Sequence, residues 1–191
     1  MQYVVMTVGK THSGKTTWGG QIRKTIKHCC LIDGDIIAEF LKTNYLDLYN
    51  TDYVKENNEL TQGFRLKWVV FQGVYKHALQ TTLPIILTNA NSTKAIRKHA
   101  WIRAHKAGRK IIMIYFNRPQ EVLLQRIQIS NRSKKCLTKS KDFTDLLLNR
   151  QSKIFESPST KEADIFFEIT DDSSRKEVQK KVIYLLSKKK I

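Results

Sequence analysis

Acidic side chains are what this sequence has least of for its size. Its 191 residues carry 17 Asp and Glu against 34 Lys and Arg, for a formal net charge of +17. Between Glu59 and Glu121 there is no carboxylate, while Arg65, Lys67, Lys76, Lys94, Arg97, Lys98, Arg103, Lys106, Arg109, Lys110 and Arg118 all fall in that stretch. Such a field attracts polyanions at some cost in self-repulsion. The expected partner is nucleic acid, DNA or RNA; the alternative is a solvated surface that serves solubility. Cysteine is also scarce. Cys29, Cys30 and Cys136 are odd in number and lack metal-ligand spacing. They read as small buried hydrophobes in a reducing compartment, with a Cys29–Cys30 redox pair as the other option.

Prolines number three, Pro84, Pro119 and Pro158, each beside an expected element boundary, where proline is tolerated. No repeat, low-complexity tract or Pro/Gly/Ser linker divides the chain, so one domain spanning residues 1–191 is expected. No apolar run approaches the roughly 18 residues of a membrane helix. The segment Tyr3–Val8 is too short for a signal-peptide core and has no cleavage site. The expectation is an intracellular, cytoplasmic protein with no membrane contact.

Short apolar runs mark five strands: Tyr3–Val8, Cys30–Ile32, Ile85–Thr88, Ile111–Phe116 and Ile165–Ile169. Their near-continuous apolar character suits strands covered on both faces. Helical stretches lie between and after them: Lys15–Lys27, Ile36–Leu46, about Val54–Gln80, Ser92–Ala107, Gln120–Ile129, Phe143–Phe155 and Arg175–Lys188. Trp68, Phe71 and Tyr75 recur at helical spacing and read as core. Strand alternating with helix implies an α/β three-layer sandwich on a central, mainly parallel five-stranded sheet, with ligands at the carboxyl ends of the strands.

Directly after the first strand, Gly9-Lys10-Thr11-His12-Ser13-Gly14-Lys15-Thr16 fits G-x-x-x-x-G-K-[ST], with Thr17 following. Strand before and helix after are the context this motif requires. Its glycines let backbone N–H groups turn inward around phosphates, and the helix N-terminus adds partial positive charge. Lys15 is expected at the β- and γ-phosphates and the Thr16 hydroxyl on Mg²⁺. His12 lies inside the loop; the other four histidines show no ligand or catalytic spacing. The fold class is thus a P-loop NTPase sandwich, and the reaction expected is transfer of a terminal phosphate from ATP.

Two carboxylates, Asp33 and Asp35, end the second strand at the rim where an acceptor hydroxyl would sit. One there can take the proton of the attacking hydroxyl. Asp35 is the first choice and Asp33 the second; one of them can also cap the next helix. A basic, Ser-rich segment follows the helix after the fourth strand and reads as a helical lid over about residues 126–142. Arg126 and Arg132 are its candidates for stabilising the transferred phosphoryl group. At the third strand end, where a metal-binding acid would be expected, Thr88-Asn89-Ala90-Asn91-Ser92 carries no carboxylate. Ser92 reads as a helix cap, and Asn91 as either a cap or a substrate contact.

In this order the residues resemble the P-loop polynucleotide 5′-hydroxyl kinases, typified by the kinase domain of bacteriophage end-healing enzymes. The resemblance runs through Val4–Val8, the phosphate loop with Trp18, Asp35, Ile86–Asn91, Phe116–Pro119, Arg126 and Arg132, to Phe155–Pro158. It implies ATP and Mg²⁺, Asp35 as general base, lid arginines, a polynucleotide acceptor, and viral or phage origin as one setting. Asn89 replaces an acid usual in the family, and Ala38 replaces an arginine that grips the acceptor phosphate. Asp33-Gly34-Asp35 also resembles the Asp-Gly-Asp of small-molecule kinases such as adenylylsulfate kinase. The reading that follows is an ATP-dependent kinase for a nucleic-acid hydroxyl, most simply a 5′ end. The alternatives are a small-molecule kinase, a kinase of hydroxymethylated bases in DNA, and a nucleotide-dependent nucleic-acid-binding protein with weak catalysis.

Overall fold

The computed structural model describes residues 2–50, 62–130 and 141–187. Five strands form one sheet: β1 (Tyr3–Val8), β2 (Cys30–Ile32), β3 (Ile85–Leu87), β4 (Lys110–Phe116) and β5 (Ile165–Ile169). Their order is β2-β3-β1-β4-β5 and every pairing is parallel. Helices fill the connections: α1 (Lys15–Thr25), α2 (Gly34–Asn44), α3 (Leu46–Asn50), α4 (Gln62–Leu79), α5 (Lys94–Lys106) and α6 (Gln120–Gln128). After α6 come α7 (Phe143–Asp145), a π-helical turn Leu146–Gln151, α8 (Ser152–Ile154) and, beyond β5, α9 (Asp172–Ser187).

Period-two alternation on the strands makes two cores from one sheet. Val4, Met6 and Val8 of β1 join Ile111 and Met113 of β4 beneath Phe71, Tyr75 and Ala104 of α4 and α5. Val5, Ile112 and Ile114 face the other way, against Trp18 and Ile22 of α1 and Val178 and Val182 of α9. That is the expected three-layer sandwich. Cys29 and Cys30 pack into opposite cores. Burial raises both thiols above their usual range, although Arg23 opposes it. Both are half-buried against those cores rather than fully inside them, and Cys136 lies outside the described residues.

Two cations of the carboxylate-free stretch, Arg97 and Arg109, are internal. Arg109, 1% exposed, donates to the carbonyls of Ala78, Thr81 and Leu83, closing the C-terminus of α4 where orphan carbonyls carry partial negative charge. Arg97, also 1% exposed, forms an ion pair with Glu162 at 2.7 Å and donates to the carbonyls of Asn91 and Glu156.

The chain leaves β1 toward one side to build β2 and β3, then returns to lay β4 and β5 on the other. Strand order therefore reverses at β1, and a crevice opens above its carboxyl end. No helix among the described residues is long and apolar enough to cross a membrane.

Candidate active site

A cleft of about 1060 Å³ lies over the carboxyl ends of β1, β2 and β3. Residues Thr11 to Thr17 of the phosphate loop and the start of α1 line it. Gly14 has φ 99°, a left-handed conformation that would strain a side chain, and it leads into α1 with no side-chain cap. By contrast α2 and α5 are capped by Asp33 and Thr93. The first N–H groups of α1 thus have no capping side chain, and its first turn carries no acid. That is the electrostatic environment in which helix N-termini bind phosphate.

Lys15, 8% exposed, folds back over the loop: Nζ donates to Lys10 O at 2.6 Å and Ser13 Oγ at 3.1 Å. Thr11 donates its N–H to Gln151 Oε1 at 2.7 Å. His12, at φ 55°, shares a hydrogen bond of 3.0 Å between Nδ1 and Thr11 Oγ1 and meets the ring of Phe143 edge-on. Thr16 and Thr17 are exposed on the cleft side of α1.

The two acids take different places. Asp33 is 4% exposed. Its Oδ1 accepts from the N–H groups of Asp35 and Ile36, capping α2, which begins at Gly34 rather than at Ile36. Its Oδ2 accepts from Thr16 Oγ1 at 2.9 Å and Thr88 Oγ1 at 2.7 Å. The end of β3 carries no acid of its own, and the carboxylate that meets Thr88 there comes from the end of the neighbouring strand β2. Asp33, Thr16 and Thr88 present only oxygen donors, the hard donor set that suits Mg²⁺. Asp35 stands at the rim with its side chain 47% exposed, and Lys67 Nζ from α4 lies 3.3 Å from its Oδ1. Gly34 between them donates its N–H to Asn89 Oδ1 at 2.9 Å, so Asn89 holds the Asp-Gly-Asp turn. A Cβ at Gly34 would lie 2.8 Å from Lys67 Cε and 2.9 Å from Asn89 Oδ1.

Asn91 lines the cleft and does not cap α5. It is 7% exposed, with φ 46°, and Nδ2 donates to Thr7 O at 2.7 Å, tying the end of β1 to the segment after β3. Thr93, not Ser92, caps α5, accepting from Ile96 N–H; Ser92 uses its carbonyl to accept from Glu156 N–H. Arg126 of α6 lies against the loop, 3.4 Å from both His12 O and Ser13 O, and 3.8 Å from Asp172. Burial and then neighbouring Arg118 lower its pKa, while Asp172 opposes them. Arg132 and most of the expected lid lie outside the described residues.

Sequence reasoning did not single out Lys67, Thr88, Arg150 or Gln151, all of which line this cleft. Lys67 is one basic residue among many in its stretch. Gln151 meets the loop across 140 residues of chain through a π-turn that no periodicity announces.

Residues 4–158 match the family model AAA_33, described as an AAA domain. No curated protein matches the chain. Among solved structures the chain is similar to the APS kinase CysC of Mycobacterium tuberculosis in complex with AMPPNP and APS, at 15% identity, TM-score 0.63 and 98% of each chain covered. It is similar to Kti12 of Chaetomium thermophilum in complex with ADP-AlF3, at 14% identity, TM-score 0.61 and coverage of 97% of this chain and 100% of that one. A shikimate kinase from Bacteroides thetaiotaomicron gives 15% identity, TM-score 0.54 and coverage of 97% and 99%. At such identities the likeness is one of fold, and the fold is that of P-loop kinases.

Proposed function

The chain belongs to the AAA_33 family of AAA domains, and from that premise we propose that it is an ATP-dependent kinase of a nucleic-acid hydroxyl, most simply a 5′-hydroxyl end. One observation carries the kinase reading: an uncapped phosphate loop, with Lys15 and Thr16, opens into the same cleft as the rim carboxylate Asp35. The acceptor oxygen attacks the γ-phosphorus of ATP, its proton passes to Asp35, and the bond to the β-phosphate oxygen breaks as ADP leaves. Lys15 and the loop N–H groups hold the β- and γ-phosphates. Lys67 orients Asp35 at the rim. Arg126 adds positive charge beside the loop. Thr16 and Asp33 would hold Mg²⁺, which when bound neutralises phosphate charge.

The acceptor class rests on the charge of +17 and on exposed Lys94, Lys98 and Lys106 along α5. A second reading, a small-molecule kinase, is favoured by the Asp33-Gly34-Asp35 turn and by Ala38. Ala38 is fully buried in the packing of α2 against α4, so no cation from that position reaches the rim. The deciding experiment offers γ-labelled ATP and Mg²⁺ with 5′-hydroxyl DNA, 5′-hydroxyl RNA, small hydroxy acids, or water alone, with Lys15→Ala as control. Label on a polynucleotide end, lost in the variant, is the expected result. Label on a small acid alone selects the second reading, and no transfer to any acceptor defeats both.

A further inference from the structure

The π-helical turn Leu146–Gln151 stands between two three-residue α-helical pieces. π-Helical turns are rare and occur frequently at functional sites. This one is fixed from two sides. Leu146 and Leu147 are buried at 8% and 0% exposure. Gln151, 7% exposed, accepts the Thr11 N–H of the phosphate loop at 2.7 Å. The residue between these anchors and the cleft is Arg150, half-buried and lining the same cavity as Lys15 and Asp35.

Three arginines line that cavity, and two have protein partners. Arg126 lies on the loop carbonyls of His12 and Ser13 and near Asp172. Arg175 donates to Gln21 Oε1 at 2.8 Å. The Arg150 guanidinium has no hydrogen bond or ion pair among the described residues. A guanidinium partly removed from water without a partner is costly, and an anion entering the cleft removes that cost. Because Gln151 clamps the turn to the loop, the backbone that carries Arg150 is held against the phosphate loop before any ligand arrives. Such preorganisation makes an electrostatic contact effective when charge develops.

Building on the kinase reading, we propose that Arg150 is a catalytic residue whose guanidinium meets the phosphoryl group in transfer. No bond to Arg150 forms or breaks. It donates hydrogen bonds to equatorial oxygens while the acceptor oxygen bonds to phosphorus and ADP departs.

The test uses the full chain with Arg150→Ala and Arg150→Lys, measuring kcat, the KM for ATP, and affinity for ADP with and without aluminium fluoride in Mg²⁺. The expected result for Arg150→Ala is a kcat lower by roughly 10²- to 10³-fold with the KM for ATP little changed. Affinity for ADP with aluminium fluoride falls at least about tenfold while that for ADP alone holds, as expected for a contact made only in the transition state. Arg150→Lys recovers part of both. A kcat within about threefold of the parent, or an equal loss of affinity for ADP with and without the fluoride, overturns the proposal. If the parent transfers phosphate and Arg150→Ala does so equally well, only this inference falls. If the parent transfers none to any acceptor or to water, the kinase reading falls and takes this one with it.

Discussion

Asp33 serves four donors from a nearly dry position, while Asp35 stands half-exposed beside Lys67. Two carboxylates on either side of one glycine thus have different surroundings, and the kinase reading gives them separable roles. Asp35→Asn is expected to lower kcat by roughly 10²- to 10⁴-fold, the usual worth of a general base, with no change in the Mg²⁺ concentration needed. Asp33→Asn is expected to raise that Mg²⁺ requirement, so that added Mg²⁺ recovers part of the rate. Magnesium titrations of both variants check the assignment, and exchanged phenotypes would reverse it. Gly34→Ala belongs with them. Its Cβ would collide with Lys67 and Asn89, so kcat is expected to fall even though both acids remain.

At the scale of elements, the loop after β3 is braced from outside the cleft. Arg97 on α5 bonds the carbonyl of Asn91, which sits in a left-handed conformation, and pairs with Glu162. Removing one member of such a buried pair leaves the other charge uncompensated, at a cost of about 3–5 kcal/mol. Glu162→Gln is expected to lose part of this at neutral pH, measured by urea unfolding. The pH dependence follows from the Glu162 carboxyl. Burial alone would raise its pKa, but hydrogen bonds from Arg97 and from Ser159 N–H outweigh burial and hold it below the usual value. Its stabilising contribution is therefore present above the unfolded value of about 4.3 and is lost as pH falls through the lower folded one. The gap between parent and variant is expected to close over that acid range. Thr93→Ala, which removes only the α5 cap, is expected to cost about 1 kcal/mol without this pH signature.

For the molecule as a whole, the net charge of +17 predicts salt-sensitive binding of polynucleotides. Affinity for a single-stranded oligonucleotide is expected to fall by about tenfold or more between low and physiological salt. Replacing exposed Lys98 and Lys106 by Gln is expected to flatten that slope. A salt-independent affinity would remove the argument for nucleic acid. Arg109→Ala is expected to behave differently, because Arg109 lies inside and closes α4. It should lower stability and leave the slope alone. Trp18→Ala, at the centre of the core between the sheet, α1 and α9, is expected to cost about 3–5 kcal/mol.

The five strands, their parallel arrangement and the phosphate loop were legible in the sequence because each rests on local chemistry: apolar runs, a glycine-rich motif, helical spacing. Lys15, Thr16 and the rim acids could be named for the same reason. The division of labour between Asp33 and Asp35 could not, since it depends on β2 lying two places from β1 in the sheet, which brings Asp33 to Thr16 and Thr88. Nor could the sequence separate internal arginines from surface ones, because Arg97 and Arg109 look like their exposed neighbours until helix ends and distant carbonyls are brought to them. Contact of Gln151 with Thr11, and with it the placing of Arg150 on the cleft, spans most of the chain and runs through an irregular turn. Local patterns determined the elements and the loop; contacts between residues distant in sequence, which only packing creates, decided which side chains share the site.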